Sequence, residues 1–296
     1  MATDYPGITG DGSLGNPYLI QNYNITASNS SLIEIKQRSE YFVISNNYLR
    51  STVQDETYYG ISIVNTDNVV IQNNEVYDAG QAIYTYSSDD VSIEHNFING
   101  SIKYGIVSQS EINTRIIENQ ITKSGLVFPA SLIRSDGTAA IIRNNQLSNF
   151  NSSGIQIYSD DSIINNNTIT NYSRTGKTLY GIFNFGNNLT ITHNTIAYGH
   201  LGIYGSSLTS SEIVDNTLYN ISASITLLSS TDLNITDNAM RYVYSGITIR
   251  EATSNINIKY NSIIFSTSTG INFYNLDYGS YPNYHNISKI TIAENI

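Results

Sequence analysis

Aliphatic residues recur along this chain in one short frame: an aliphatic position, two variable positions, an asparagine, one variable position and a second aliphatic. Ile44, Asn47 and Leu49 make one copy, and Ile71, Asn74 and Val76 the next. Further copies centre on Asn96, Asn119, Asn145, Asn167, Asn194, Asn216, Asn238 and Asn261, and a shortened copy ends the chain at Asn295. Asn22, between Ile20 and Ile25, fits as a degenerate first copy. Inside each piece the apolar positions alternate with period two, the pattern of strands with one buried face. A second piece follows most anchors: Gly60-Ile61-Ser62-Ile63, Gly154-Ile155-Gln156-Ile157, Gly202-Ile203, Gly246-Ile247-Thr248-Ile249 and Gly270-Ile271-Asn272-Phe273.

From Asn47 the anchor-to-anchor steps are 27, 22, 23, 26, 22, 27, 22, 22, 23 and 34 residues. A minimum of 22 holds three short strands and three bends, each strand rising about 3.3 Å per residue. Helical repeats share such periods, but β-branched, aromatic, Asn and Gly residues favour strands and turns. Leucine-rich repeats need a Leu framework that is missing. The expected fold is all-β: a single-stranded, right-handed parallel β-helix, a solenoid of about 12 coils with an Asn ladder at one bend. The ladder residues are Asn47, Asn74, Asn96, Asn119, Asn145, Asn167, Asn194, Asn216, Asn238 and Asn261. Two causes are expected for them: Asn tolerates the left-handed conformation of a sharp bend, and stacked Asn side chains satisfy the polar groups of neighbouring bends. Residues 1–296 read as one domain, with 1–30 as N-terminal cap and first coil. The chain stops inside an anchor motif, so its C-terminal end is expected to be truncated or uncapped.

These Asn-x-Ile coils and Gly-Ile strands resemble the repeats of the NosD-like group, the carbohydrate-binding and sugar-hydrolase (pectin-lyase-like) domains. The opening stretch from Gly7-Ile8 through Asn16-Pro17-Tyr18-Leu19-Ile20 is similar to the entry segment of archaeal surface proteins in that group. The resemblance covers the whole chain. It implies the fold and a surface setting, and leaves activity open.

Composition narrows the function. Charged residues are only 13% and the formal charge is −10, so the polar surface is Asn, Ser, Thr and Tyr. That balance fits a secreted or cell-surface protein and disfavours nucleic acid as a partner. The absence of Cys excludes disulfides and thiolate chemistry. No apolar run approaches the ~18–20 residues of a membrane span, so direct membrane insertion is not expected. Ten N-x-[ST] triplets start at Asn24, Asn29, Asn99, Asn151, Asn166, Asn171, Asn188, Asn220, Asn234 and Asn286. Each is a glycosylation acceptor if the protein is a glycoprotein, although an Asn/Ser/Thr-rich chain also makes such triplets by chance.

Departures from the repeat are where function is sought. Three insertions, at residues 50–59, 123–130 and 172–180, fall between an anchor strand and a Gly-Ile strand and should leave one edge of the column. They carry Arg50, Tyr59, Lys123, Tyr172, Arg174, Lys177 and Tyr180. A fourth, at residues 275–289, lies at a different bend and is rich in Tyr. If Ile155 and Ile157 point inward, Tyr158 points out, and the same register turns Phe183, Phe185 and Tyr204 outward in the next two coils. Tyr158, Tyr172, Arg174, Lys177, Tyr180, Phe183, Phe185 and Tyr204 are therefore the candidate ligand-binding residues. Sugar stacking, a protein contact and plain strand propensity are the three readings of these aromatics.

Polysaccharide cleavage needs carboxylate clusters or a basic group on an open face. Asp89-Asp90 and Asp160-Asp161 are the paired carboxylates, and both occupy turns that explain them without catalysis. Asn65-Thr66-Asp67 resembles one polygalacturonase motif, but Gly199-His200 is followed by Leu201 and no Arg-Ile-Lys occurs, which puts pectin hydrolysis in doubt. Copper delivery lacks soft ligands, since Met1 and Met240 are the only methionines and His95, His193, His200 and His285 are scattered. No metal or cofactor is expected, with calcium at the acidic turns as the one exception to test. The expected role is an extracellular or cell-surface module, structural or adhesive, that takes polysaccharide on its exposed aromatics. A polysaccharide hydrolase or lyase is one alternative. An end-to-end assembling subunit of a sheath, filament or surface layer, touching itself or other surface proteins, is another.

Overall fold

The structure is a computed structural model that describes residues 7–53, 55–124, 131–171, 179–251, 253–274 and 288–295. Each coil sends one strand to each of three parallel sheets, of twelve, eleven and eleven strands. The first sheet carries the first aliphatic of each anchor, pairing Ile20 with Ile44, Ile44 with Ile71 and Ile71 with Ile93. The second carries the other aliphatic, so Ile25, Leu49, Val76 and Ile98 stand in one row. The third is built from the Gly-Ile strands, where Ile61, Ile83, Ile106 and Ile133 align. All three rows face inward and are buried along most of the column in one continuous aliphatic cluster. Inward-facing β-branched side chains on stacked coils pack on their own kind, which is why the repeat tolerates so little variation at these sites.

The glycines of the Gly-Ile motif have a steric cause. A Cβ on Gly181 would lie 2.4 Å from Ile196 Cγ2 and 2.7 Å from the Gly202 carbonyl oxygen. At Gly181 the chain enters the third sheet too close to the aliphatic row of the second for a side chain, whereas other coils carry Ala82, Leu132 or Ser224 at this position.

The Asn ladder runs unbroken from Asn47 to Asn295. At Asn167, Oδ1 accepts the backbone N–H of Asn145 at 3.0 Å and its Nδ2 at 2.9 Å. Its own Nδ2 donates to the Ile142 carbonyl at 2.9 Å and to Asn194 Oδ1 at 3.0 Å. Polar groups that the bend would otherwise bury unpaired are thus satisfied. One expected cause is corrected. The left-handed residue is the one before each ladder position, as at Asn46, Asn73, His95, Glu118, Asn144 and Tyr260, and the ladder asparagines themselves have ordinary φ. Hydrogen bonding alone therefore selects Asn. The first copy is corrected as well. Gln21 pairs with Ser45, so Asn22 aligns with Asn46, and Tyr23 holds the ladder position, giving only its backbone N–H to Asn47 Oδ1 at 3.0 Å.

Candidate functional site

The site is the outer face of the third sheet. Residues that alternate with the inward isoleucines form two outward rows. One runs Tyr84, Val107, Arg134, Gln156, Phe183 and Tyr204 over six coils. The other places Tyr86, Gln109 and Asp136 in register. It continues through Tyr158 and Phe185, which directly follow the paired residues Ile157 and Asn184. Tyr59, Tyr104 and Tyr180 stand where the chain enters these strands.

The aromatics form two connected sets. Tyr158 and Phe185 stack at 5.4 Å between ring centroids, with planes 1° apart. Phe183 stacks on Tyr204 at 5.3 Å and meets Phe185 edge-on at 4.8 Å. Tyr180 packs against Phe183 at 4.6 Å and against Tyr204 at 5.4 Å. Further toward the N-terminus Tyr59 stacks on Tyr84 at 4.8 Å, with Tyr86 parallel at 6.4 Å. Burial, then neighbouring phenols, raises the Tyr84 hydroxyl above its ordinary pKa, and burial then Tyr204 does the same for Tyr180. Parallel rings this close in successive coils cover each other's faces.

Arg134 sits in the middle of this face. Its guanidinium carbon lies 5.9 Å from the Tyr104 ring centre and 5.3 Å from that of Tyr158, distances that permit cation–π attraction. Nη1 reaches the Tyr104 hydroxyl only at 3.5 Å, Nη2 is 3.9 Å from Asp136 Oδ2, and buried Nε has no partner among the described residues. Gln156 is engaged, accepting from the Ser131 hydroxyl at 3.1 Å and donating to the Tyr158 hydroxyl at 2.7 Å.

Tyr158, Tyr180, Phe183, Phe185 and Tyr204 are thus brought together on one face. Tyr172, Arg174 and Lys177 lie outside the described residues. Sequence reasoning missed Tyr84, Tyr86, Arg134 and Asp136 in the same rows, and Tyr104 at the entry to its strand. For Tyr84, Tyr86, Arg134 and Asp136 the signal was present: Ala82-Ile83 and Leu132-Ile133 head their strands with Ala and Leu where other coils have Gly, so the motif went unread while the alternation continued; Tyr104 precedes a regular Gly105-Ile106 pair.

The paired carboxylates are structural. Asp89 Oδ1 accepts the Ile112 N–H at 2.8 Å and Asp160 Oδ1 the Asn187 N–H at 2.6 Å, each one coil on. Asp90 and Asp161 have φ of 55° and 54°, as turn residues do. His95 pairs with Glu118 at 2.7 Å and His193 with Asp215 at 3.6 Å, both exposed at the left-handed position. Among the described residues no group of three or more His, Asp or Glu is placed to hold a metal ion. No described helix is long and apolar enough to cross a membrane.

Among the described residues one carboxyl group lies inside the column. A register shift between Gln109 and Glu111, with Ser110 left-handed at φ 57°, turns Glu111 inward. A Cβ on Gly137 would sit 2.1 Å from the Glu111 carbonyl oxygen, so this bulge requires glycine beside it. The Ser108 and Thr114 hydroxyls donate to Glu111 Oε2 at 2.7 and 2.8 Å, while Oε1 has no partner among the described residues. Burial pushes the carboxyl up to about 7 against the lowering effect of these hydroxyls.

The comparisons agree with this architecture. The chain superposes on a surface adhesin of Streptococcus pneumoniae, PfbA, with a TM-score of 0.60 at 12% identity, covering 86% of this chain and 73% of that one. It superposes on the catalytic domain of a GH87 alpha-1,3-glucanase in complex with nigerose at a TM-score of 0.60 and 12% identity, covering 88% and 63%. A tailspike protein double mutant of E. coli bacteriophage HK620, in complex with pentasaccharide, gives 0.64 at 10% identity, covering 93% and 57%. The chain thus spans less than two thirds of the glucanase and tailspike chains. At these identities the likeness is one of fold. No curated protein sequence matches the chain. The family model described as right handed beta helix region matches residues 8–129 and 131–287, and the chain belongs to that family.

Proposed function

We propose that this chain is an extracellular or cell-surface β-helix module that binds a glycan along the outer face of its third sheet. The observation that carries the reading is the position of Arg134, held between the rings of Tyr104 and Tyr158 and continuous with the stacked rings of Phe185, Phe183 and Tyr204. Tyr combines an apolar body with a polar tip, and the guanidinium adds donors with no short protein bond. A sugar needs both kinds of contact. The sparse charge of the chain and the similarity to an adhesin and to saccharide-bound β-helices support the surface setting.

Binding of the purified chain to a glycan array tests the proposal, with Tyr158→Ala, Phe185→Ala and Tyr204→Ala as comparisons. Retention of one glycan class, weakened about tenfold by each substitution, is the expected result. No retention of any glycan removes the reading.

Cleavage is the second reading, favoured by the likeness to the glucanase and by Asp136, a carboxylate set among the aromatics. Glycoside hydrolysis ordinarily uses two carboxyl groups, and among the described residues Asp136 is the only one in the outward rows from Tyr84 to Tyr204. Release of new reducing ends from the retained glycan, abolished by Asp136→Asn, would favour it over simple binding.

A further inference from the structure

We infer that the glycan taken by this face is uncharged, and that Arg134 and Asp136 together are its specificity-determining pair. The inference rests on the glycan-face reading above and adds the chemical class of the ligand. Arg134 is positioned by ring contacts rather than by hydrogen bonds, since its nearest acceptors are 3.5 and 3.9 Å away. Nη1 and Nη2 are held only by these long contacts and the side chain is 29% exposed, so they can turn to a ligand, whereas Nε is buried. Asp136, two residues on and also outward, has a 39% exposed side chain and no hydrogen bond among the described residues. It supplies acceptors beside those donors.

A sugar hydroxyl both donates and accepts. Neighbouring hydroxyls on one ring can take a hydrogen bond from Arg134 and give one to Asp136. A carboxylate or sulfate can only accept. It would use Arg134 but would stand beside Asp136, and charge-assisted pairing with Arg is strong only where no like charge competes. Among the described residues, Lys103 also stands beside these rings, 5.8 Å from the Tyr104 ring centre, but it is paired with Glu56 at 3.2 Å. The pair sums to zero charge, and the chain as a whole carries −10. Local and global electrostatics thus both disfavour an acidic polymer.

The test uses the full chain against immobilised neutral polysaccharides (dextran, laminarin, mannan) and acidic ones (polygalacturonate, alginate, heparin). Asp136→Asn, Arg134→Gln and Arg134→Lys are measured beside it, with circular dichroism melts as the folding check. The expected result is retention on a neutral polymer, weakened at least tenfold in each variant. Arg134→Lys behaves like Arg134→Gln, because the planar fork is lost although the charge remains. Retention on an acidic polymer that tightens in Asp136→Asn overturns the inference and leaves the glycan-face reading standing. Neutral retention unchanged in Asp136→Asn overturns the role of the pair. No retention on either class removes both.

Discussion

Tyr158 and Phe185 lie one coil apart with their rings parallel to within 1° and 5.4 Å between centroids. Both are 37% exposed, so the stack is built on the surface and contributes without a buried core around it. A double-mutant cycle with Tyr158→Ala, Phe185→Ala and the double variant should give a coupling of about 1 kcal/mol in unfolding free energy. Coupling within error of zero would mean that the rings are neighbours by register alone.

Glu111 predicts a pH dependence whose sign is fixed by its burial. Its folded pKa is raised from 4.5 to about 7, so the folded state favours the protonated acid. The stabilisation is complete below about 4.5, declines as pH rises, and is gone above about 7. The span corresponds to about 3 kcal/mol at 1.36 kcal/mol per unit. Glu111→Gln keeps an oxygen for the Ser108 and Thr114 hydroxyls and cannot ionise. The stability difference between wild type and Glu111→Gln, followed by denaturant melts from pH 4.5 to 7.5, should therefore move against wild type with rising pH. A difference that stays flat across that window would show that the carboxyl is solvated in solution.

The ladder predicts a large loss at one asparagine and almost none at another. Asn167→Ala leaves the Asn145 N–H, the Ile142 carbonyl and one acceptor on Asn194 without their partner. Buried groups left unpaired cost about 1–3 kcal/mol each, so a loss of at least about 3 kcal/mol is expected. Asn22→Gly, at an exposed left-handed position outside the ladder, should cost little. Equal losses from the two would contradict the pairing of Gln21 with Ser45 that keeps Asn22 out of the ladder.

That contrast also marks how far the sequence could be read. The ladder was visible because each of its residues makes the same bonds, so the spacing alone identifies them. The left-handed residue before each anchor was not visible, because Asn46, His95, Glu118 and Tyr260 share a conformation and no chemistry. Outward aromatics could be placed wherever a Gly-Ile pair fixed the register, as at Tyr158 and Phe183. Arg134 escaped because Leu132 replaces the glycine that marks its strand. Glu111 escaped because a bulge reverses its side, and a one-residue shift of this kind leaves no mark on a period-two pattern.

Tyr260 carries the last prediction. It occupies the left-handed position before Asn261, with φ 56° and half of its surface exposed. Other coils fill that position with Asn46, Asn73, Asn144, Asn166, Asp215 or Asp237. Bulky L-residues are disfavoured there by about 1–2 kcal/mol, a cost Asn largely escapes through its short polar side chain. Tyr260→Asn should therefore stabilise the protein by about 1 kcal/mol, seen as a higher thermal midpoint. Phe265 is also left-handed and exposed, but it stacks on Tyr242 at 4.9 Å with planes 8° apart. Phe265→Asn relieves the same strain and loses a ring pair of about 0.5–1.5 kcal/mol, so its midpoint should move less. A midpoint for Tyr260→Asn at or below wild type would show that the Tyr260 ring makes a stabilising contact of its own.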